Sequence, residues 1–285
     1  MKAVVVGVDT SPGARRAASW AAAEAAAHGA PLLVVHTVPA WADDLLARPP
    51  GAGPDPWARA VGRRVLRDVV DELCERFPDM PVACELETGE TVTRLLARAR
   101  TARLLVVGAR GAGGFRPPLV GPVGLKLAAH ARCPVVVVRA NALSYGRIVA
   151  GFDGSSTAQA ALEFAFAEAS AHGARLRVVH AWSAPLNAPT APGLAEYRSP
   201  DARERRLRAL REAVAPWRDK YPEVEVSEEA PHGHAVEILT ALSAAADLLV
   251  VGSRGAGGFA DLRSGAVSTG VLHHARCPVA VIHPH

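Results

Sequence analysis

The sequence predicts an α/β protein of two tandem domains, each a Rossmann-like five-stranded parallel sheet with helices on both faces. Three observations predict it. Residues 105–114 read LVVGARGAGG and residues 249–258 read LVVGSRGAGG, an offset of 144 residues. The same offset relates Asp9 to Asp153, His36 to His180, Gly89 to Gly233, Gly108 to Gly252 and Gly121 to Gly265, and it joins the HARCP runs that begin at His130 and His274. Third, continuous runs of Val, Leu and Ile alternate with longer segments of helical spacing, the pattern of parallel strands buried on both sides. The repeat divides the 285 residues at 1–142 and 143–285, each long enough to bury its own core.

In the first copy, Lys2–Val8 is an apolar run that reads as a buried strand. Ser11 followed by Pro12 is a helix start, a capping hydroxyl and then a proline in the first turn, so a helix is expected over Ala14–His28 and closed by Gly29. Pro31–Val38 is the second strand, and residues 41–56, rich in Pro, Gly and Asp, form a loop. A helix over Trp57–Phe77, a strand over Pro81–Glu87, a helix over Thr91–Ala99 and a strand over Ala102–Val107 follow. After the glycine turn come a helix over Leu125–Ala131 and a last strand over Pro134–Arg139.

The second copy repeats the order. Strands are expected at 148–152, 175–181, 223–228, 247–252 and 278–283, helices at 156–172, 201–219, 234–245 and 266–275, and a loop at 183–200. The linker Ala140–Gly146 is short, so the domains are expected to pack together.

Composition excludes several classes. No apolar run approaches the roughly 18 residues of a membrane span, and the apolar opening reaches Asp9 too soon for a secretory signal, so a cytoplasmic protein is expected. The net charge is +4, and the densest basic run (Arg203, Arg205, Arg206, Arg208, with Glu204) reads as a solvated helix face, not a nucleic-acid surface. Cys74, Cys84, Cys133 and Cys277 form no CxxC pair, which argues against zinc, and Cys133 and Cys277 read as buried reduced thiols.

The glycine turn after the fourth strand of each copy is where chemistry is expected. In a parallel α/β sheet, ligands sit beyond the carboxyl ends of the strands, where the strand order switches. Glycines there let backbone N–H groups approach phosphate oxygens, and the next helix adds its N-terminal donors. A P-loop is excluded because no Lys followed by Ser or Thr sits at its spacing. Gly255-Ala-Gly257-Gly-Phe-Ala260 fits a dinucleotide fingerprint but follows the fourth strand, lacks the expected acidic partner, and has Arg116 at the last position of the first copy. A wider spacing, Gly108-x2-Gly111-x9-Gly121 and Gly252-x2-Gly255-x9-Gly265, sets two glycine clusters on either side of a short excursion, able to close on one phosphate chain.

With that spacing, VGxRGAGGF, the HARCPV run and the opening Gly7-Val-Asp-Thr-Ser11, the chain resembles the universal stress protein family, as a tandem member matching nearly end to end. The resemblance implies an adenine-nucleotide α-hydrolase-like fold that binds ATP, with Mg²⁺ held through the phosphates and no direct protein ligand to the metal. The family's ATP-binding motif continues its last glycine with Ser or Thr. Here Gly265 is followed by Ala266, Val267 and Ser268, whereas Gly121 is followed by Pro122, Val123 and Gly124. Proline removes an N–H donor and Gly124 a hydroxyl. Two lost hydrogen bonds to a charged phosphate, about 1.5–3 kcal/mol each, weaken binding by roughly 10²–10⁴. The second domain is therefore the expected ATP site, and its expected contacts are Asp153, Ala181, Gly233, Gly252, Arg254, Gly255, Gly265, Ala266, Val267 and Ser268. Asp9, Thr37, Gly89, Gly108, Arg110, Gly111 and Gly121 are the weaker counterparts.

Each has a structural alternative. Asp9 and Asp153 are also good caps for the next helix, Thr37 and Ala181 suit a core as well as an adenine slot, and Gly89 and Gly233 suit a turn as well as a ribose contact. Arg110 and Arg254 suit the surface as well as phosphates. His36 and His180 read as hydrogen-bonded core residues, and His232-Gly-His234 as a turn, since it lacks the HxGH spacing of nucleotidyl transferases. With no positioned general base near the turns, a regulatory nucleotide-binding module acting on an unknown protein partner is expected, ahead of a slow ATPase or nucleotidyl transferase, or a nucleotide-free interaction module. Pro134–Arg139 and Pro278–His283 are expected at sheet edges, which need covering. By resemblance they pair across a two-fold axis, making a pseudo-dimer within the chain and allowing a homodimer.

Overall fold

A computed structural model describes residues 1–38, 56–111, 120–139, 144–183, 200–255 and 265–284. It divides into two units, Met1–Ala140 and Asn141–His285. In the first unit the described elements are β1 (Val4–Val8), α1 (Pro12–Ala27), β2 (Leu32–Val38), α2 (Pro56–Arg76), β3 (Val82–Thr88), α3 (Thr91–Ala99), β4 (Leu104–Gly108), α4 (Pro122–His130) and β5 (Val135–Val138). The strands are parallel in the order β3-β2-β1-β4-β5. The chain thus moves outward through β2 and β3, then crosses to the other side of β1, and the order switches between β1 and β4.

Sequence explains each element locally. Ser11 caps α1, its Oγ accepting from the Ala14 N–H at 3.2 Å, with Pro12 opening the helix. Ala17, Ala18, Ala21, Ala22 and Ala25 are 0–1% exposed, so α1 lies close on β1 and β4. Gly29, at φ 58°, ends it, and the Ala30 N–H reaches back to the Ala25 carbonyl at 2.8 Å. α1 pairs with α2 and α3 with α4, one pair on each face of the sheet. β1 and β4 have no face in water: Val4, Val6, Leu105 and Val106 are 0% exposed.

The second unit repeats the plan with β6 (Arg147–Gly151), α5 (Ser156–His172), β7 (Arg175–Val179), α6 (Pro200–Lys220), β8 (Val226–Glu229), α7 (Ala235–Ser243), β9 (Leu248–Gly252), α8 (Ala266–His274) and β10 (Val279–Ile282). Its strand order is β10-β9-β6-β7-β8, all parallel, so the switch falls between β6 and β9. Phe166 on α5 is 0% exposed and stacks with Trp217 and Tyr221, centroids 6.4 and 6.0 Å away, tying α5 to the end of α6.

Most boundaries shift by a residue or two from the sequence expectation, and three of the shifts bear on the site and its surroundings. α4 begins at Pro122, not Leu125, because proline is pre-set for the first helical position. β7 stops at Val179, leaving His180 and Ala181 beyond its end, and β8 starts at Val226 after a turn in which the Val224 N–H bonds the Tyr221 carbonyl. Of the loops expected at 41–56 and 183–200, only Pro56, Ser183 and Pro200 fall inside the described residues.

Candidate functional site

At the switch in the second unit lies a cleft of about 500 Å³. Gly151, Phe152 and Asp153 enter it from the end of β6, Val251, Gly252, Arg254 and Gly255 from the end of β9, and Val179 and Ala181 from β7. Ala158 of α5, Ala235 and Leu239 of α7, and Gly265, Ala266, Val267 and Ser268 at the start of α8 complete the wall. Nine of the ten residues expected at the second-domain site therefore line one cleft; the exception is Gly233. Gly233 sits at φ 146°, its N–H bonding the Trp182 carbonyl at 2.8 Å, so it serves the turn after β8.

The glycines are explained by what stands against them. A Cβ on Gly255 would lie 2.6 Å from Asp153 Oδ2, and one on Gly252 would lie 2.6 Å from Thr157 Oγ1 and 3.0 Å from Thr157 backbone. The turn is thus pressed against both the end of β6 and the start of α5. Thr157, 3% exposed, donates its hydroxyl to the Arg254 carbonyl and pins the turn to α5. Sequence reasoning passed over Thr157; its signal is the residue two places after a capping Ser155.

The excursion between Gly255 and Gly265 is closed at its base by the Gly265 N–H, which donates to the Ser253 carbonyl at 2.8 Å. Gly265 then caps α8 with no side-chain bond of its own, and the first intrahelical bond runs from the Thr269 N–H to the Gly265 carbonyl. Helix geometry leaves the N–H groups of Ala266, Val267 and Ser268 without intrahelical acceptors, and all three residues line the cleft. They make up the N-terminal end of α8, where the helix dipole is positive. The Ser268 hydroxyl differs from the expectation of a phosphate donor. It is 2% exposed and directed at the Ser253 and Gly265 carbonyls, 3.2 and 3.0 Å away. Its single proton goes to one of those carbonyls, so it stitches the start of α8 to the turn.

Asp153 is not the cap of α5. That role belongs to Ser155, whose Oγ accepts from the Ala158 N–H at 3.2 Å, while Asp153 Oδ1 accepts from the Ser155 N–H at 3.0 Å and Oδ2 faces Gly255. The first unit repeats this with Asp9 Oδ1 accepting from the Ser11 N–H at 2.9 Å.

The rest of the first-unit counterpart keeps the backbone bonds of Gly121 and Gly89 but diverges in its side chains. Gly13 replaces Thr157, and a Cβ there would meet the Arg110 carbonyl at 2.7 Å, so the turn lies directly on the α1 backbone. The Gly121 N–H closes the excursion on the Ala109 carbonyl at 2.9 Å, but Pro122 then occupies the first helical position and leaves only Val123 and Gly124 to supply cradle N–H groups. Thr37 Oγ1 is hydrogen-bonded to Thr91 Oγ1 at 2.7 Å. Gly89, at φ 134°, bonds the Val38 carbonyl as Gly233 bonds Trp182.

The two histidines also part company. His36 Nδ1 lies 2.8 Å from the Val8 carbonyl, as expected of a hydrogen-bonded core histidine. His180 is a correction: its Nδ1 is buried with no hydrogen-bond partner, and its ring stands edge-on to Phe152, centroids 6.1 Å apart. His36 packs against Gly62, where the equivalent residue is Arg206, whose guanidinium lies over the Trp182 ring at 4.3 Å. Burial holds the His180 imidazole below its usual pKa, the Arg206 charge adds to this, and Asp153 opposes it. His232 packs edge-on to Trp182 at 4.6 Å, consistent with a turn. Cys133 and Cys277 are buried thiols, as expected, and burial pushes the Cys133 thiol up to about 12.

The fold and cleft define a class: a tandem pair of doubly wound α/β units with a cleft at the strand switch of the second, walled in part by a glycine turn and a helix N-terminus. The universal stress protein family model matches residues 1–139 and again 144–283. Universal stress protein Rv2005c of Mycobacterium tuberculosis is 35% identical over 98% of this chain and 96% of its own length. Universal stress protein Rv2623 of the same organism is 33% identical over 98% of this chain and 95% of its own length. The crystal structure of a universal stress protein from Archaeoglobus fulgidus is similar at a TM-score of 0.69, 18% identity, covering 99% of this chain and 96% of that one. The chain belongs to the universal stress protein family, as a tandem member. Among the described residues no helix is long and apolar enough to cross a membrane.

Proposed function

We propose that this protein is a regulatory ATP-binding protein whose nucleotide occupies the cleft of the second unit. The observation that carries the proposal is the convergence on one cleft of three helix-end N–H groups, a glycine turn pressed flat against its neighbours, and an apolar wall of Ala158, Val179, Ala181, Leu239 and Val251. The helix end and turn suit the phosphates, the wall suits a base, and Asp153 lines the same cleft beside Gly255. The cleft's volume, about 500 Å³, falls within the range of small-molecule sites. Asp153 is the one carboxylate among its described lining residues, too few to hold a hard cation without the phosphates, so Mg²⁺ would enter with the nucleotide.

The same inventory supports binding over turnover. No described lining residue is a histidine or lysine, and one oxygen of Asp153 is engaged by the Ser155 N–H. Binding would then act by altering contacts with a protein partner. Mass spectrometry of ligand released from the native protein tests this, with adenine nucleotide at up to one per chain expected. A ligand-free protein whose melting temperature does not move with Mg·ATP refutes the reading. ATP turnover of several per minute, abolished by Gly265→Asp, would make the site catalytic.

A further inference from the structure

We propose that the pair of residues facing each other across the base end of the cleft decides which unit admits a nucleotide: Ala181 with Ala235 leaves it open, and Thr37 with Thr91 bars it. This rests on the nucleotide reading of the second-unit cleft and adds a selecting device distinct from the phosphate cradle. The 144-residue offset places Thr37 at Ala181 and Thr91 at Ala235. In the second unit, both alanines line the cleft, one beyond the end of β7 and one at the first position of α7. In the first unit, the matching positions at the end of β2 and the start of α3 carry hydroxyls 2.7 Å apart. Each hydroxyl has the other as partner, and a β-branched side chain has little rotamer freedom, so the pair forms a crossbar. A base entering there would have to break that bond and displace two stiff side chains. Two methyl groups present neither obstacle.

The test transplants the crossbar. In the full-length chain, A181T, A235T and the double variant A181T/A235T are titrated with Mg·ATP, with adenosine and with inorganic tripolyphosphate. The double variant is expected to lose at least tenfold in affinity for ATP and adenosine while tripolyphosphate binding stays within twofold of wild type. A crossbar also predicts coupling: the double variant loses more than the product of the two single losses, because only together do the hydroxyls bond. Single variants whose melting temperatures match wild type keep the comparison meaningful if the double variant is unstable, and each is expected to lose less than threefold. Wild-type affinity for adenosine in A181T/A235T overturns the proposal, as does a loss that is fully accounted for by one threonine alone. A wild-type chain that binds neither ATP nor adenosine overturns the nucleotide reading instead.

Discussion

Substituting Gly265 with aspartate puts a negative charge into the end of α8 without disturbing the backbone. Gly265 sits at φ −73° and ψ 150°, which any residue adopts. A Cβ there would lie 3.3 Å from the Ser253 carbonyl oxygen, 3.4 Å from Arg254 Cα and 3.5 Å from the Gly255 nitrogen, a fit that needs shifts of only a few tenths of an ångström at the closest contact. An acidic residue at a helix N-terminus is also favourable to the dipole, so the melting temperature should hold or rise slightly. The effect on ATP is opposite. A carboxylate about 4 Å from a phosphate, at an effective dielectric near 20, repels it by about 4 kcal/mol per unit charge, and solvent access lowers this to roughly 2–4 kcal/mol. That corresponds to a loss of roughly 30- to 1,000-fold in affinity. The comparison is Gly121→Asp, where φ is −68° and the nearest atom to a Cβ is the Ala109 carbonyl oxygen at 3.7 Å. It fits at least as easily, and should change affinity by less than twofold. Isothermal titration with Mg·ATP at two salt concentrations reads both, and the Gly265→Asp loss should shrink at high salt. Equal losses in the two variants would refute the assignment of the site to the second unit.

Ser268→Ala removes the stitch between α8 and the turn, and should cost about 1 kcal/mol in urea unfolding; a full loss of ATP binding would instead make the hydroxyl a ligand contact. Ser155→Ala removes the α5 cap and should cost about 1 kcal/mol, in a range of roughly 0.5–2; no change in the urea midpoint would count against the cap. His180 titrates below its unfolded value, so protonation favours the unfolded chain. Stability is present above the ordinary histidine range and falls as pH drops through about 6.5. His180→Leu should flatten that slope between neutral pH and mildly acidic pH, and an unchanged slope would assign it to other groups.

Much of this protein was legible in one dimension, for identifiable reasons. A constant offset reveals duplication without any knowledge of shape, and strands buried on both faces must be apolar along their whole length. The glycine spacing marked the turn and helix start that form one side of the cleft, because close backbone approach can be met only by a residue without a Cβ, while the apolar wall of Ala158, Val179, Leu239 and Val251 carried no such mark. What could not be read were choices made by rotamers and neighbours. Ser268 looked like a phosphate ligand because a hydroxyl's direction has no sequence signature; in the fold two carbonyls claim it. The asymmetry between the cradles therefore rests on the N–H that Pro122 lacks, about 1.5–3 kcal/mol or roughly 10- to 150-fold. His180 looked like His36 because the offset matches them, yet the contrast between Gly62 and Arg206, on a helix far away in sequence, separates their surroundings.

The sequence by itself determined the two-unit α/β plan, the family and the location of the glycine turns, since these depend on hydrophobic period and on residues whose backbone freedom is intrinsic. Only the tertiary structure decided that the Ser268 hydroxyl turns to two carbonyls, that Thr157 pins the turn, and that Thr37 meets Thr91 while Ala181 and Ala235 line the cleft. The last two outcomes depend on pairs of residues more than fifty positions apart, whose distances are set when helices settle onto a sheet.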